Sequence, residues 1–514
     1  MKILLISLNR ETEPFTAAPL GLALVAGALE AAGHEVRALD LLFSRGARED
    51  IEEEAGRFRP GLVGLSLRNI ESSTEFLLPS YKETVAALRR VTDAPIVLGG
   101  PGFSIMPRRI MEYLGVGLGV VGEGEEAAVA LVRALEEGND PALVPGVCAL
   151  RDGRFVHTPA AHIDGGAMRA PAWRHFPARG YDMAGVQSKR GCSFGCVYCT
   201  YPMLEGRRLR LRPPKDVVDE LQRALENGTG CPSYFVDNVF NNPKGHAEAV
   251  CDEITARGLD ISWGCLASPA GLDAAMLRKM KDAGCESVEI GADSLSDRAL
   301  KGLGKAFGAE DVKKAVRACR EAGMLHMLFL ILGGPGEDEH TLKETFDALD
   351  ELRPDKVFAV AGIRVYPGTP LEARAREEGV LRADEDLLWP KFYESEILGD
   401  RLYAMAGEFF DAHPDWIYYP ANGITRGTAR RAAADMAWDG GAKECLDKVL
   451  SSVPALIRPI ARKAVTKKAG LLAGERSLGF VTASEVRDAF LSETPRPFQG
   501  PMRESLKNLG LLDA

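Results

Sequence analysis

Two successive series of short apolar runs, each alternating with helical stretches, set the terms for this 514-residue chain. In the first series, residues 1–140, apolar runs lie at Lys2–Leu8, Val36–Leu39, Leu62–Leu67, Ile96–Leu98 and Gly119–Val121. Helical stretches such as Leu20–Ala32 and Tyr81–Val91 separate them. Five such βα units predict a doubly wound parallel sheet, α/β in class and Rossmann-like, with helices on both faces. Ligands of such sheets meet the carboxyl ends of the strands. A linker at 141–183 carries an Asp152-Gly153 hairpin signal and then becomes rich in Ala, Pro and Gly. The second series spans 184–385, with strands expected at Val186–Lys189, Tyr234–Asp237, Ile261–Leu266, Ser287–Gly291, Leu325–Leu332 and Val357–Val365. Six βα units predict a partial (β/α)6 barrel with its site at the strand carboxyl ends. Beyond 385 the alternation stops, and 386–514 reads as a mostly helical region.

Charge and hydropathy exclude several classes. The formal charge of −10 denies the chain the broad basic field of a nucleic-acid binder, so no nucleic-acid partner is expected. No apolar run reaches the ~18 residues of a membrane helix. The start, MKILLISLN, reads as a buried strand and lacks the pattern of a secretion signal. A reducing cytoplasm is therefore expected, where clustered cysteines indicate metal or catalysis and not disulfides. Of ten cysteines, seven are scattered singly in apolar segments and read as buried thiols.

The other three form Cys192-x3-Cys196-x2-Cys199, directly after the first strand of the second series. Three thiolates on one short loop can ligate three irons of a cubane, with Gly191 and Gly195 easing the turns. No nearby fourth Cys or His completes a structural zinc site. Cys231 and Cys265 are the distant candidates for a fourth ligand, although both read as core thiols.

This segment, with Tyr198 before the last cysteine, resembles the radical S-adenosylmethionine (SAM) signature. The resemblance implies a 4Fe-4S cluster on Cys192, Cys196 and Cys199, with SAM on the remaining iron. It implies SAM contacts from Tyr198, from Asp237 and Asn238 after the second strand, and from Glu289 and Ser294 at the fourth. Gly333, Gly334 and Tyr366 follow the fifth and sixth strands in the same way. Arg207, Arg208, Arg210 and Arg212 read either as a clamp for a carboxylate or as a solvated charge run.

The first series resembles the cobalamin-binding domain that precedes many radical SAM barrels, through Gly64-Leu65-Ser66-Leu67-Arg68-Asn69, Leu98-Gly99-Gly100-Pro101-Gly102-Phe103-Ser104 and Val121-Gly122-Glu123-Gly124-Glu125-Glu126. The resemblance implies cobalamin contacts from Ser66, Leu67, Arg68, Gly99, Gly100, Ser104, Gly122, Glu123, Gly124 and Glu125. The Asp-x-His-x-x-Gly pattern that supplies a histidine to cobalt elsewhere is absent, and His34 reads as a surface residue.

The chain is thus identified as similar to cobalamin-binding-domain radical SAM enzymes. That family implies reductive cleavage of SAM to a 5′-deoxyadenosyl radical and methylation of an unactivated carbon of a small-molecule or lipid substrate. An electron donor such as flavodoxin or ferredoxin is implied as partner. A radical SAM reaction of another type (carbon coupling, ring closure or oxidation) is the alternative, and a non-catalytic iron–sulfur protein ranks last. Residues 385–514 are expected to close the barrel, with Trp389, Phe392, Tyr393, Trp416 and Tyr418 either lining a pocket or packed as core. The basic stretch Arg458–Lys468 reads as a solvated helix face, with peripheral membrane, carrier or anionic-substrate contact as the other reading.

Overall fold

Buried, β-branched and leucine-rich runs form the strands of the first sheet: β1 (Lys2–Ser7), β2 (Glu35–Asp40), β3 (Leu62–Ser66), β4 (Ile96–Gly99), β5 (Leu118–Val120), β6 (Val147–Arg151) and β7 (Arg154–His157). The computed structural model describes residues 1–12, 15–72, 76–176, 180–226, 233–420, 437–475, 480–494 and 496–512. The strand order is β2-β1-β3-β4-β5-β6-β7, with β1 to β5 parallel. The chain reverses direction of winding between β1 and β3, and that switch point opens a crevice at the carboxyl edge. The hairpin expected in the linker is instead part of this sheet, since β6 pairs antiparallel with β5. Asp152 and Gly153 take φ of 49° and 75°, the paired positive values of a type I′ turn.

The second series gives β8 (Ala184–Val186), β9 (Lys189–Arg190), β10 (Arg210–Leu211), β11 (Ser233–Phe235), β12 (Trp263–Ala267), β13 (Cys285–Asp293), β14 (Leu325–Leu332), β15 (Lys356–Ala361), β16 (Ile363–Arg364), β17 (Phe392–Tyr393) and β18 (Ile417–Pro420). Seven of these form one parallel sheet in the order β18-β15-β14-β13-β12-β11-β8. The expected count of six is thereby corrected to seven, because the aromatic run at 417–420 pairs with β15. Burial alternates strictly along β14 and β15. Leu328, Leu330, Leu332, Val357 and Ala359 pack under the helices in one core, and the alternate residues face the barrel lumen.

A second core spans both sheets. It joins Leu65, Leu67, Leu98 and Phe103 of the first sheet's carboxyl side to Leu303, Ile363, Val365, Leu371, Leu388 and Tyr393 at the barrel mouth. The carboxyl edges of the two sheets therefore meet across continuous apolar packing. The helices Gly440–Ser451, Arg458–Glu475 and Ala483–Glu493 build a separate small core, beside the parallel pair β19 (Ala437–Trp438) and β20 (Phe480–Val481). Among the described residues no helix is long and apolar enough to cross a membrane.

Candidate active site

The three clustered cysteines lie on the loop between β9 and the short helix Tyr201–Leu204. Its entrance is fixed by Asp237, which is 3 % exposed. Asp237 accepts from the Ser188 amide at 2.8 Å, the Lys189 amide at 3.2 Å, Lys189 Nζ at 2.9 Å, and the Ser188 hydroxyl. These bonds use the carboxylate fully, so Asp237 anchors the loop and is not free for SAM. Gly191 follows with φ +93°, where an added Cβ would stand 2.2 Å from the Arg208 carbonyl. The other proposed hinge, Gly195, has no positive φ; it lies against Gly304, where an added Cβ would meet the Gly195 carbonyl at 2.6 Å. The loop is pinned from outside by Val197 N–H donating to Leu303 O at 3.0 Å and Leu371 N–H donating to Val197 O at 2.9 Å.

Beside the thiols sits a buried polar triad. Tyr198 donates to Asp293 Oδ2 at 2.5 Å, and Lys305 Nζ reaches the same oxygen at 2.6 Å. Asp293 itself takes φ +60° at an irregularity in β13. Burial opposes the Lys305 charge, but Asp293 and the Cys196 thiol beside it outweigh burial and raise its pKa. Burial also raises the Cys196 thiol, partly offset by Lys305, and pushes Cys199 up to about 11. Such thiols stay protonated until a metal displaces their protons. Among the described residues no three His, Cys, Asp or Glu side chains are closed around a single point. A cubane takes its cysteines on separate irons, and three thiols spread along one loop suit that donor set.

Asn238 donates to Glu205 Oε2 at 2.9 Å, while its own Oδ1 is buried and without a partner. An orphaned acceptor beside the cysteine loop fits a donor such as the amino group of SAM. The remaining expected SAM residues are otherwise engaged. Ser294 Oγ pairs with Thr345 Oγ1 at 3.0 Å and accepts from Ser296 N–H. Glu289 accepts from Tyr234 at 2.8 Å inside the barrel. Tyr366 donates to Glu71 Oε1 at 2.9 Å, next to Arg364 at 2.8 Å from the same oxygen, so it ties the barrel to the first sheet's loops.

The Gly333 and Gly334 amides both donate to Glu337 Oε2, which is fully buried with Oε1 unpartnered. Burial raises Glu337 to about 7 against those two amide bonds. A carboxyl raised on folding binds its proton more tightly in the native state. Its contribution is complete below the ordinary carboxyl pKa and is lost as pH rises towards the folded value. Glu337→Gln is neutral at every pH. Its stability relative to the parent should rise between about pH 5 and pH 8, by an amount on the order of 2 kcal/mol, read by urea unfolding at each pH.

At the first sheet's carboxyl edge, Gly100 has φ +93° and an added Cβ would lie 2.6 Å from Leu67 O; at Gly102 it would lie 3.0 Å from Arg68 O. The turns after β3 and β4 therefore close on one another through glycine. Ser104 Oγ donates to Gly100 O and accepts from Gly122 N–H, both at 2.9 Å, which links the β4 and β5 turns. Ser66 and Gly99 stand opposite each other at this edge and are half-buried. Leu67 is buried, whereas Arg68 is exposed and close enough to Tyr201 to act on its hydroxyl. A glycine-lined, partly open edge at the switch point fits a large planar ligand.

Glu123 and Glu125, at the start of the helix Gly124–Glu137, point elsewhere. Glu125 pairs with Arg190 at 2.5 Å, and Glu123 lies 3.5 Å from Arg190 and bonds Arg210. Burial works against the Glu123 charge, but Arg210 and Arg190 outweigh it and hold the carboxyl low. The arginine run is corrected in the same way. Arg210 and Arg212 are buried, Arg212 pairing with Glu220 at 2.8 Å, and only Arg207 and Arg208 are exposed. Glu125→Ala leaves the buried Arg190 with Gln187 as a neutral acceptor and with the more distant Glu123 and Glu205 as its acids. It should cost about 3 kcal/mol, the low end for breaking a buried pair, and Glu125→Leu with Arg190→Leu should recover most of it in urea titrations. His34 is half-buried at the opposite end of the sheet, against the N-terminal amine at 3.3 Å, so it does not approach the crevice.

Other expectations also moved. Trp389 packs on Phe76, Tyr393 donates to Glu378, Trp416 stacks on His413 and Tyr418 stacks on Phe410, so these aromatics serve packing; Phe392 pairs with Arg364 in the β16–β17 ladder. The basic stretch keeps its expected reading as a solvated helix face: it lies on the helix Arg458–Glu475, Arg462 and Lys467 are exposed, Arg462 pairs with Asp447, and Arg458 donates to Val453 O. Cys265 is fully buried under the helices, and Cys231 lies outside the described residues. Sequence reading missed Lys305, Glu71 and Tyr234, whose partners are distant along the chain and leave no local pattern.

Comparison with known proteins agrees with this fold. Residues 7–132 match the B12 binding domain and residues 186–349 match the radical SAM superfamily, together more than half the chain. A tryptophan 2-C-methyltransferase of Streptomyces laurentii is 26 % identical over 438 residues, covering 71 % of this chain and 73 % of that protein. An uncharacterized methyltransferase of Pyrococcus horikoshii is 28 % identical over 388 residues, covering 72 % and 82 %. The radical S-adenosylmethionine methyltransferase TsrM of Kitasatospora setae, solved with cobalamin and a [4Fe-4S] cluster, shares the fold at a TM-score of 0.76 and 23 % identity, over 92 % of this chain and 99 % of that one. A second TsrM structure, with tryptophan and a SAM analogue, aligns at 26 % identity and a TM-score of 0.70, over 80 % and 89 %. With a B12-binding sheet abutting a barrel that carries the three-cysteine loop, the chain belongs to the radical SAM enzymes with an N-terminal cobalamin-binding domain.

Proposed function

We propose that this protein is a cobalamin-dependent radical SAM methyltransferase acting on an unactivated carbon of a small-molecule substrate. The observation that carries the reading is the meeting of two edges. An added Cβ on Gly122 of the first sheet would stand 3.9 Å from Leu204 O, just past the cysteine loop, and the helix Pro101–Ile105 after β4 packs against the helix Tyr201–Leu204. When bound, the cluster with SAM supplies a hydrogen-abstracting radical and cobalamin supplies a transferable methyl group.

The chain's own residues position and protect these groups. Cys192, Cys196 and Cys199 hold the cluster. Tyr198 is oriented by Asp293, and Asn238 Oδ1 is available to the SAM amino group. Ser66, Leu67, Arg68, Gly99, Gly100, Ser104, Gly122 and Gly124 form the cobalamin edge. Asp237, Ser294, Gly333, Gly334 and Tyr366 act as supports, and Glu123 and Glu125 bind the first sheet to the barrel. The cobalamin unit comprises 1–140 with the β6–β7 hairpin, and the radical SAM unit comprises 184–385 with β18. Apolar packing around the mouth keeps water from a radical. Reductive cleavage requires one electron, and a small flavodoxin or ferredoxin of the cytoplasm is the proposed partner that supplies it.

The test is anaerobic purification from cobalamin-fed cells, with corrinoid and nucleoside analysis. About one corrinoid per chain, with 5′-deoxyadenosine and S-adenosylhomocysteine formed together, supports methyl transfer. Deoxyadenosine alone, without bound corrinoid, would move the assignment to another radical SAM reaction.

A further inference from the structure

The barrel lumen is lined by apolar side chains that belong to no core. Met327, Phe329, Phe358 and Val360 alternate with fully buried neighbours, yet remain partly accessible on the inner face. Phe358 lies 5.2 Å from the Phe329 ring and 5.4 Å from Tyr419, which is 37 % exposed. These rings form a ladder across β14, β15 and β18.

One polar pair interrupts the lining. Tyr234 donates to Glu289 Oε2 at 2.8 Å, and the structure gives Glu289 Oε1 no hydrogen-bond partner among the described residues. Glu289 stands four residues before Asp293 on β13, so it lies about 13 Å deeper than the cysteine-loop triad. Burial raises Glu289 to about 7, outweighing the Tyr234 hydrogen bond, so near neutral pH it can both accept and donate.

Leu456, from the C-terminal helical region, reaches Gly264 of β12, where an added Cβ would stand 2.3 Å from its Cδ2. Its amide donates to Glu286 Oε2 at 3.1 Å. The only cation on the inner face of these strands, Lys356, donates to Asp415 O and Glu493 O. The inner face of these strands thus carries aromatic and apolar side chains, the Tyr234–Glu289 pair and no free cation among its described residues.

We propose that this lumen is the substrate subsite and that it selects a neutral or cationic molecule with an apolar ring or alkyl body and one hydrogen-bond donor directed at Glu289. Glu289 is thereby a specificity residue for substrate, not a ribose contact. A carboxylate or phosphate on the buried end would meet Glu289 with no counter-charge and be rejected. The inference rests on the barrel mouth being the reaction site, and iron content and SAM retention report on that reading separately.

The experiment is equilibrium dialysis of the full, cluster-reconstituted chain with N-phenyl-1-naphthylamine, a neutral apolar amine with one N–H. Saturable binding of about one molecule per chain is expected, weakened about tenfold or more by Val360→Asp, which puts a charge on the inner face. Glu289→Gln should weaken the probe while SAM retention stays within about twofold of the parent. Non-saturable uptake, or equal binding to Val360→Asp, would overturn the proposal. So would loss of SAM by Glu289→Gln with probe binding intact, which would return Glu289 to the nucleoside. Loss of iron or SAM retention from the parent chain itself would instead count against the reading of the mouth.

Discussion

Cys196→Ala should yield a folded chain that holds almost no iron. The parent is expected to bind about four irons per chain after anaerobic reconstitution, and the variant fewer than about one, with the brown charge-transfer absorbance lost. SAM cleavage should fall by at least about 10³-fold, because among the described residues no thiol outside Cys192, Cys196 and Cys199 lies on this loop to replace the lost ligand. Stability should change little. Cys196 is half-buried and belongs to no core cluster, and its backbone carbonyl still accepts from Cys199 N–H. Cys265→Ala gives the opposite pattern. That thiol is fully buried among apolar helix contacts, so the variant should keep its iron and lose about 1–2 kcal/mol in urea unfolding. If Cys265→Ala loses iron and Cys196→Ala keeps it, the cluster loop has been misidentified.

Asp237→Ala carries the largest expected loss of stability. Lys189 is 3 % exposed and would keep only Phe240 O, at 3.0 Å, as partner for its ammonium. Breaking a buried pair in this way costs about 3–5 kcal/mol. The Ser188 and Lys189 amides lose their acceptor as well, at about 1–3 kcal/mol each and not additively. The strain falls on the two residues that lead into Gly191 and Cys192, so cluster yield should drop along with the urea midpoint. Lys189→Met with Asp237→Leu removes both charges and should regain most of the stability. It should not regain the cluster, since the amides that fixed the loop entrance remain unpaired. Full recovery of iron in the double variant would show that Asp237 acts on stability alone.

Local chemistry made part of this structure legible in the sequence. Leu325–Leu332 is bounded correctly because its apolar run is long and β-prone, begins two residues after Gly323 and stops at Gly333. The Asp152-Gly153 turn follows from the backbone freedom of its two residues, and the cysteine spacing from the geometry of a cubane. What stayed hidden depends on pairing across long separations. Ile417–Pro420 became a strand only because β15, over fifty residues earlier, offered an open edge. Arg210 and Arg212 read as either a clamp or a solvated run because their acids, Glu123 and Glu220, are set by how the helices dock. Glu337 gave no sign that it would fold back on Gly333 and Gly334, a contact made by the positive φ of Gly333 and Gly336. Glu289 and Asp237 stand near strand ends, where ligand contacts are expected, and their side-chain partners Tyr234 and Ser188–Lys189 lie some fifty residues away along the chain.

The apolar core that runs unbroken from Leu65 and Phe103 to Leu371 and Leu388 also governs traffic. A corrinoid is too large to slip past packed leucines, and no hinge separates the sheets without exposing that core to water. Loading therefore belongs to the folding pathway, or to a rare opening as costly as partial unfolding, and release should be correspondingly slow. The small reactants differ, since they are consumed in each cycle and must be renewed. In kinetic terms the corrinoid behaves as a component assembled once, while SAM and substrate exchange at every turnover.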